Sequence, residues 1–136
     1  MRIVLDTNVF ISGVFFTGPP HQILKAWRDG KVQILVSPSI LEEYHRVRIE
    51  LASQFNDVDL NPFLDLLAVQ AEIILAPSLP LVIDEDPSDN KFLECAVAGN
   101  AACIVRGDRH LLKLSNFQEI RILKPRDFVQ RYLRGH

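Results

Sequence analysis

Short apolar runs alternate along the chain with longer stretches of helical spacing. Ile3-Val4-Leu5, Val32-Gln33-Ile34-Leu35-Val36, Leu81-Val82-Ile83, Ala102–Val105 and Ile120–Leu123 are too short for helices and rich in β-branched residues. They predict strands, the first buried on both faces. A helix follows the first strand through Val9-Phe10-Ile11, with Thr7 or Asn8 as its cap. His21–Asp29 carries Ile23, Leu24 and Trp27 at helical spacing and stops at Gly30. Ser37-Pro38 opens a helix to about Ala52, with Ser37 as cap, Pro38 in the first position and Leu41, Tyr44 and Val47 on one face. Asn61-Pro62 opens another, with a Leu64, Leu67, Ala68 stripe. Asp86-Pro87 begins a helix through Phe92, Leu93, Ala96 and Val97, closed by Gly99. Leu111–Leu114 reads as a helical turn and Pro125–Leu133 as a closing helix. This alternation predicts an α/β fold, a three-layer α/β/α sandwich with a mainly parallel sheet.

Length and composition narrow the setting without naming a chemistry. A chain of 136 residues is read as a single domain, 1–136, able to bury a real core. Its 48% hydrophobic and 24% charged residues describe an ordinary soluble protein. The formal net charge of −2 carries no global nucleic-acid signature. Contact with nucleic acid then needs a local patch, or phosphate met through metal ions. From Arg121 to His136 there are five basic residues against Asp127 alone, a pattern that a solvated helix face also produces. Cys95 and Cys103 have no framework spacing and read as small core residues in a reducing compartment. No stretch approaches a membrane span, and the chain opens without a signal-peptide core, so the expectation is a cytoplasmic protein that does not engage membranes.

Four acids share one relation to the predicted strands. Asp6 follows the first directly, and Glu43 lies about a turn and a half into the helix after the second. Asp89 lies in the first turn of the helix after Leu81–Ile83, and Asp108 follows Ala102–Val105 with only Arg106 and Gly107 between. In a parallel sheet these strand ends lie along one edge, so acids distant in sequence can converge. Gathered carboxylates repel unless something compensates them. Hard divalent cations do so, because Mg²⁺ and Mn²⁺ prefer oxygen ligands. Each acid also has an ordinary alternative: Asp6 as a helix cap, Glu43 as an exposed residue beside Glu42, Asp89 as a favourable first-turn acid, Asp108 as a turn residue. Ser39-x-x-Glu42 itself resembles a capping box.

Four stretches in register resemble the PIN-domain family (PilT N-terminus), in its branch of VapC-like toxin components of toxin–antitoxin systems. They are Ile3–Gly13 (IVLDTNVFISG), Ser37–Tyr44 (SPSILEEY), Asp86–Ala96 (DPSDNKFLECA) and Ile104–Leu112 (IVRGDRHLL), and the likeness spans nearly the whole chain. The resemblance implies a PIN-like fold and a metal-dependent ribonuclease. On it, Asp6, Glu43, Asp89 and Asp108 are the catalytic, metal-binding acids, and Asn8 and Ser12 are polar support. The chemistry implied is one or two Mg²⁺ or Mn²⁺ ions, a metal-activated water and in-line attack on an RNA phosphodiester. An antitoxin protein and a homodimer are the implied partners. No nucleophilic Cys or Ser constellation competes with metal-assisted hydrolysis.

Two positions depart from the family pattern. Members usually carry Ser or Thr where this chain has Arg106, and often a second Asp where it has His110. Arg106 can pair with Asp6 or Asp108 and compete with a metal, or grip a phosphate bidentately. The expectation from these departures is low or narrowly specific activity. Arg46, Arg106 and Arg109 lie near the acidic edge as candidate RNA contacts, although solubility alone also produces such a rim. The competing reading is a PIN-fold RNA- or protein-binding module with weak or no catalysis. A haloacid-dehalogenase-like phosphatase fits poorly, since Asn8 and Leu112 stand where that chemistry needs acids.

Overall fold

The computed structural model describes residues 1–52, 62, 65, 69–75, 90–107, 116–117 and 119–133. Its elements in order are β1 (Arg2–Leu5), α1 (Thr7–Phe15), α2 (Pro19–Arg28), β2 (Gln33–Val36), α3 (Pro38–Ala52), β3 (Glu72–Ile73), α4 (Asn90–Ala98), β4 (Cys103–Val105), β5 (Asn116–Phe117), β6 (Ile120–Leu123) and α5 (Pro125–Phe128). A π-helical turn, Val129–Leu133, extends α5, where the sequence predicts one continuous helix. The sheet runs β3-β2-β1-β4-β6-β5, parallel throughout except for β5 against β6. It is the α/β sandwich that the alternating pattern predicts.

The central strands are apolar because both faces are covered. Ile3, Val4, Leu5, Ile34, Leu35, Val36, Cys103, Ile104 and Val105 are all fully buried. Helix α4 packs against β1, β2 and β4 through Phe92, Leu93, Cys95 and Ala96, while α1 and α2 pack on each other and α2 meets α5. Gly13 permits the close approach of α1 to α2, since a Cβ there would lie 2.7 Å from Leu24 Cδ1 and 2.8 Å from the Pro20 carbonyl oxygen. Gly30 ends α2 with a left-handed φ of 80° and donates its N–H to the Trp27 carbonyl. Ser37 caps α3, accepting the Ile40 N–H at 3.2 Å, so the cap is Ser37 rather than the Ser39 capping box.

Two strands escaped the sequence reading: Glu72–Ile73 and Asn116–Phe117, each of two residues. A two-residue strand leaves no periodicity to detect, and both are sheet edges. The expected strand Leu81–Ile83, the Asn61-Pro62 helix stripe and the Leu111–Leu114 turn lie outside the described residues. Among the described residues no helix is long and apolar enough to cross a membrane.

Candidate active site at the strand-order reversal

After β1 the chain builds outward through β2 and β3, then returns to place β4 on the other side of β1. The carboxyl ends of β1 and β4 therefore flank the point where strand order reverses, the usual ligand crevice of an open parallel sheet. Asp6 stands directly beyond β1 and Arg106 directly beyond β4. Sheet-type hydrogen bonds fix both: the Asp6 N–H donates to the Val105 carbonyl at 3.1 Å, and the Arg106 N–H to the Leu123 carbonyl at 2.8 Å. Asp6 is only 2% exposed. Its backbone is extended and its Oδ1 accepts the Val9 N–H at 2.7 Å, which makes Asp6 the cap of α1 in place of Thr7 or Asn8. That bond occupies one carboxylate oxygen and orients the other.

Oδ2 faces a cation. Arg106 Nε lies 3.6 Å from it, with the two side chains 5% and 3% exposed. The guanidinium also lies 5.6 Å from the centre of the Phe92 ring. Of the two roles open to Arg106 in sequence, pairing with Asp6 is the one this geometry displays, and its burial holds it away from the surface.

Helix α3 brings the second acid to the same place. Tyr44 is fully buried, donates its hydroxyl to the Leu5 carbonyl at 2.6 Å and stacks on Phe10 at 4.6 Å between ring centres. This anchor ties α3 to the end of β1 and to α1, and leaves Glu43, one residue earlier, beside Thr7. Thr7 Oγ1 donates to Glu43 Oε2, and Lys91 Nζ, from α4, donates to Glu43 Oε1 at 2.7 Å. Arg46 reaches the same oxygen at 3.5 Å from a largely exposed position on α3. Burial pushes the Glu43 carboxyl up, but the hydrogen bonds from Lys91 and Thr7 and the charges of Lys91 and Arg46 outweigh it, so Glu43 sits below the usual carboxylate range. The Tyr44 hydroxyl is driven well above its ordinary value by burial and then by the Asp6 charge.

Thr7, next to Asp6 in the chain, thus links the start of α1 to Glu43 on α3. Asn8, on α1, is exposed, and Ser12 is half-buried one helical turn beyond it. Asp89, Asp108, Arg109 and His110 lie outside the described residues. Two participants have no place in the sequence reading of the site. Thr7 figures there only as a possible helix cap, yet its hydroxyl orients Glu43. Lys91 is the one basic residue between Asp86 and Leu93, which was the available signal. A cavity of about 480 Å³ lies elsewhere, at the amino-terminal edge of the sheet between α2 and the π-helical turn, and does not include these residues.

Among the described residues no group of three or more His, Cys, Asp and Glu side chains gathers to hold a metal. The oxygens in contact are the Thr7 hydroxyl and the Glu43 carboxylate, with the Asp6 carboxylate one residue before Thr7 in the chain. An all-oxygen, anionic set suits a hard divalent cation and not zinc or copper. Asn90, beside Lys91, has a buried amide oxygen with no hydrogen-bond donor among the described residues. The oxygen chemistry of these residues fits the ion, and a cation already stands against each carboxylate.

A buried acid stands at the strand-order reversal of a parallel α/β sheet, and a following helix brings Glu43 beside the neighbouring Thr7. Residues 2–110 match the PIN domain, and the chain belongs to that family, whose members are typically nucleases. It is 28% identical over 150 aligned positions to an uncharacterized protein of Methanocaldococcus jannaschii, covering 97% of this chain and 92% of that one. Its fold is similar to that in the crystal structure of VapBC2 from Rickettsia felis bound to a DNA fragment from their promoter. The TM-score there is 0.55 at 17% identity, covering 90% of this chain and 97% of the other.

Proposed function

We propose that the protein is a metal-dependent ribonuclease, the toxin component of a toxin–antitoxin pair, acting in the cytoplasm on RNA. The reading is supported by Asp6 at the reversal of strand order and by Glu43, held by the hydroxyl of the neighbouring Thr7. Asp89 and Asp108 complete the acid set in the proposal. A bound Mg²⁺ or Mn²⁺ would polarise a water and offset the charge of the phosphodiester.

The chain's own residues supply the framework. Asp6, capped onto α1, presents one oxygen from rigid backbone, and Thr7 fixes the Glu43 carboxylate in one orientation. Asn8 and Ser12 are polar support on α1, and Arg46 and Arg109 are the rim on which a strand would rest. The protein partners in this proposal are an antitoxin and a second copy of the chain. Phe16 on the exit of α1 and Ile49 on α3 are exposed apolar side chains available to such partners.

Arg106 favours a second reading. A buried cation against Asp6 competes with the metal, so weak cleavage, or RNA and protein binding without cleavage, is the alternative. The experiment is cleavage of single-stranded and structured RNA by the wild-type protein, Asp6→Asn and Asp89→Asn, in Mn²⁺ and in chelator. The proposal expects cleavage in Mn²⁺ that chelator or either substitution abolishes. Cleavage in chelator, unaffected by both substitutions, refutes it. Metal binding with no cleavage of any RNA selects the binding module.

A further inference from the structure

Lys91 is an unusual lysine. Its ammonium donates to Glu43 at 2.7 Å with the side chain 19% exposed and Glu43 17% exposed, and it lies 6.0 Å from the centre of the Phe92 ring. Holding a flexible four-carbon stem and a strongly hydrated charge in that position costs side-chain entropy and solvation. The ring it approaches is the one that Arg106 approaches at 5.6 Å. Two partly or fully buried ion pairs thus approach Phe92 through their cations, Arg106 against Asp6 and Lys91 against Glu43, with the largely exposed Arg46 also reaching Glu43.

A divalent cation entering among those carboxylates leaves these pairs with excess positive charge. The two resident cations are not equivalent in what they can then do. The Arg106 side chain is 5% exposed and enclosed, whereas Lys91 keeps access to solvent at the amino-terminal end of α4. A lysine stem swings between partners by simple rotamer changes, and its ammonium is a point charge that suits a phosphate oxygen from any direction.

Resting on the metal-dependent nuclease reading, we infer that Lys91 is an exchangeable counter-ion: it neutralises Glu43 until a divalent cation takes that carboxylate, and then turns to a backbone phosphate of the bound strand. Lys91 is a positioning residue in this account. It acts on Glu43 in one state and on the substrate's charge in the other.

The test uses the full chain with Lys91→Met and Lys91→Arg, thermal melts confirming that each folds. Mn²⁺ binding is measured by calorimetry without RNA. Binding of a fluorescein-labelled phosphorothioate single-stranded RNA is measured in Ca²⁺ by anisotropy at several salt concentrations, with gels confirming an intact strand. Lys91→Met should bind Mn²⁺ roughly fivefold to tenfold more tightly than wild type, because a competing charge is gone. The same variant should bind the RNA more weakly, with a salt slope smaller by about 0.7, the value for one lost phosphate contact on a single strand. Lys91→Arg should keep the wild-type salt slope. If wild type binds Mn²⁺, Asp6→Asn does not, and Lys91→Met matches wild type in both measurements, the inference falls while the nuclease reading stands. If wild type binds no Mn²⁺, the nuclease reading fails and takes the inference with it.

Discussion

Replacing Arg106 by Met keeps the length and apolar stem of the side chain and removes the cation 3.6 Å from Asp6 Oδ2. Taking one partner from a buried ion pair costs about 3–5 kcal/mol, because the charge left behind is still desolvated. Here the Val9 N–H continues to serve Oδ1 and the pair is spaced beyond hydrogen-bonding distance. These soften the loss to about 2–3 kcal/mol, below what breaking a close buried pair costs. With an unfolding entropy near 2.1 cal/mol/K per residue, a chain of 136 residues should melt about 7–10 °C lower than wild type. The assay is differential scanning calorimetry, first in chelator and then in Mn²⁺. An ion at about 100 times its dissociation constant stabilises the native state by about 2.7 kcal/mol, so Mn²⁺ should return most of what the substitution removes. Wild type, where Arg106 competes for Asp6, should gain less from the same Mn²⁺ concentration. Melting within about 1 °C of wild type in chelator, equivalent to a few tenths of a kcal/mol, would refute the electrostatic argument. So would an equal Mn²⁺ response in the two proteins.

Other substitutions probe the frame that holds the site. Tyr44→Phe leaves the Leu5 carbonyl without the hydroxyl that reaches it at 2.6 Å. It should cost about 1–2 kcal/mol, or about 4–7 °C in the melt; an unchanged melting temperature would show that the bond contributes nothing. Gly13→Ala puts a methyl group 2.8 Å from the Pro20 backbone oxygen. Overpacking of that kind should destabilise by about 1–3 kcal/mol in urea unfolding, and a neutral outcome would mean that α1 and α2 separate freely. Burial pushes the Cys95 thiol from 9.0 up to about 12. A native value raised above the unfolded one gives stability that is complete below about pH 9 and lost as pH climbs towards about 12. Native Cys95 should therefore resist iodoacetamide at pH 8 and react after unfolding, as mass spectrometry would read; labelling at the unfolded rate would contradict its burial.

The strands and helices around the site were legible because their signals are strong and local. Ile3–Leu5 and Cys103–Val105 are unbroken apolar runs, and Ser37-Pro38 states a helix start in two residues. Asp6 was legible from its position after β1. Its capping role was the ordinary alternative, and the structure displays capping and the second oxygen's exposure to Arg106 together. The bond between Lys91 and Glu43 was not legible. It joins residues 48 positions apart on two helices, and depends on how α3 and α4 meet. Periodicity specifies which face of each helix is apolar, not which polar side chains then come within 3 Å. The same holds for Tyr44, whose apolar spacing predicts a core residue but not the hydroxyl's bond to Leu5. The π-helical turn at Val129–Leu133 follows from no residue pattern that separates it from an α-helix.

In the proposed reaction Asp6, at the strand-order reversal, serves a divalent cation. Calorimetric titration of Mn²⁺ into wild type and Asp6→Asn, each shown to be folded, addresses that directly. Saturable binding by wild type, weakened at least roughly tenfold by Asp6→Asn, is the predicted result. Equal affinity in the two proteins would place any bound ion elsewhere and contradict the claim.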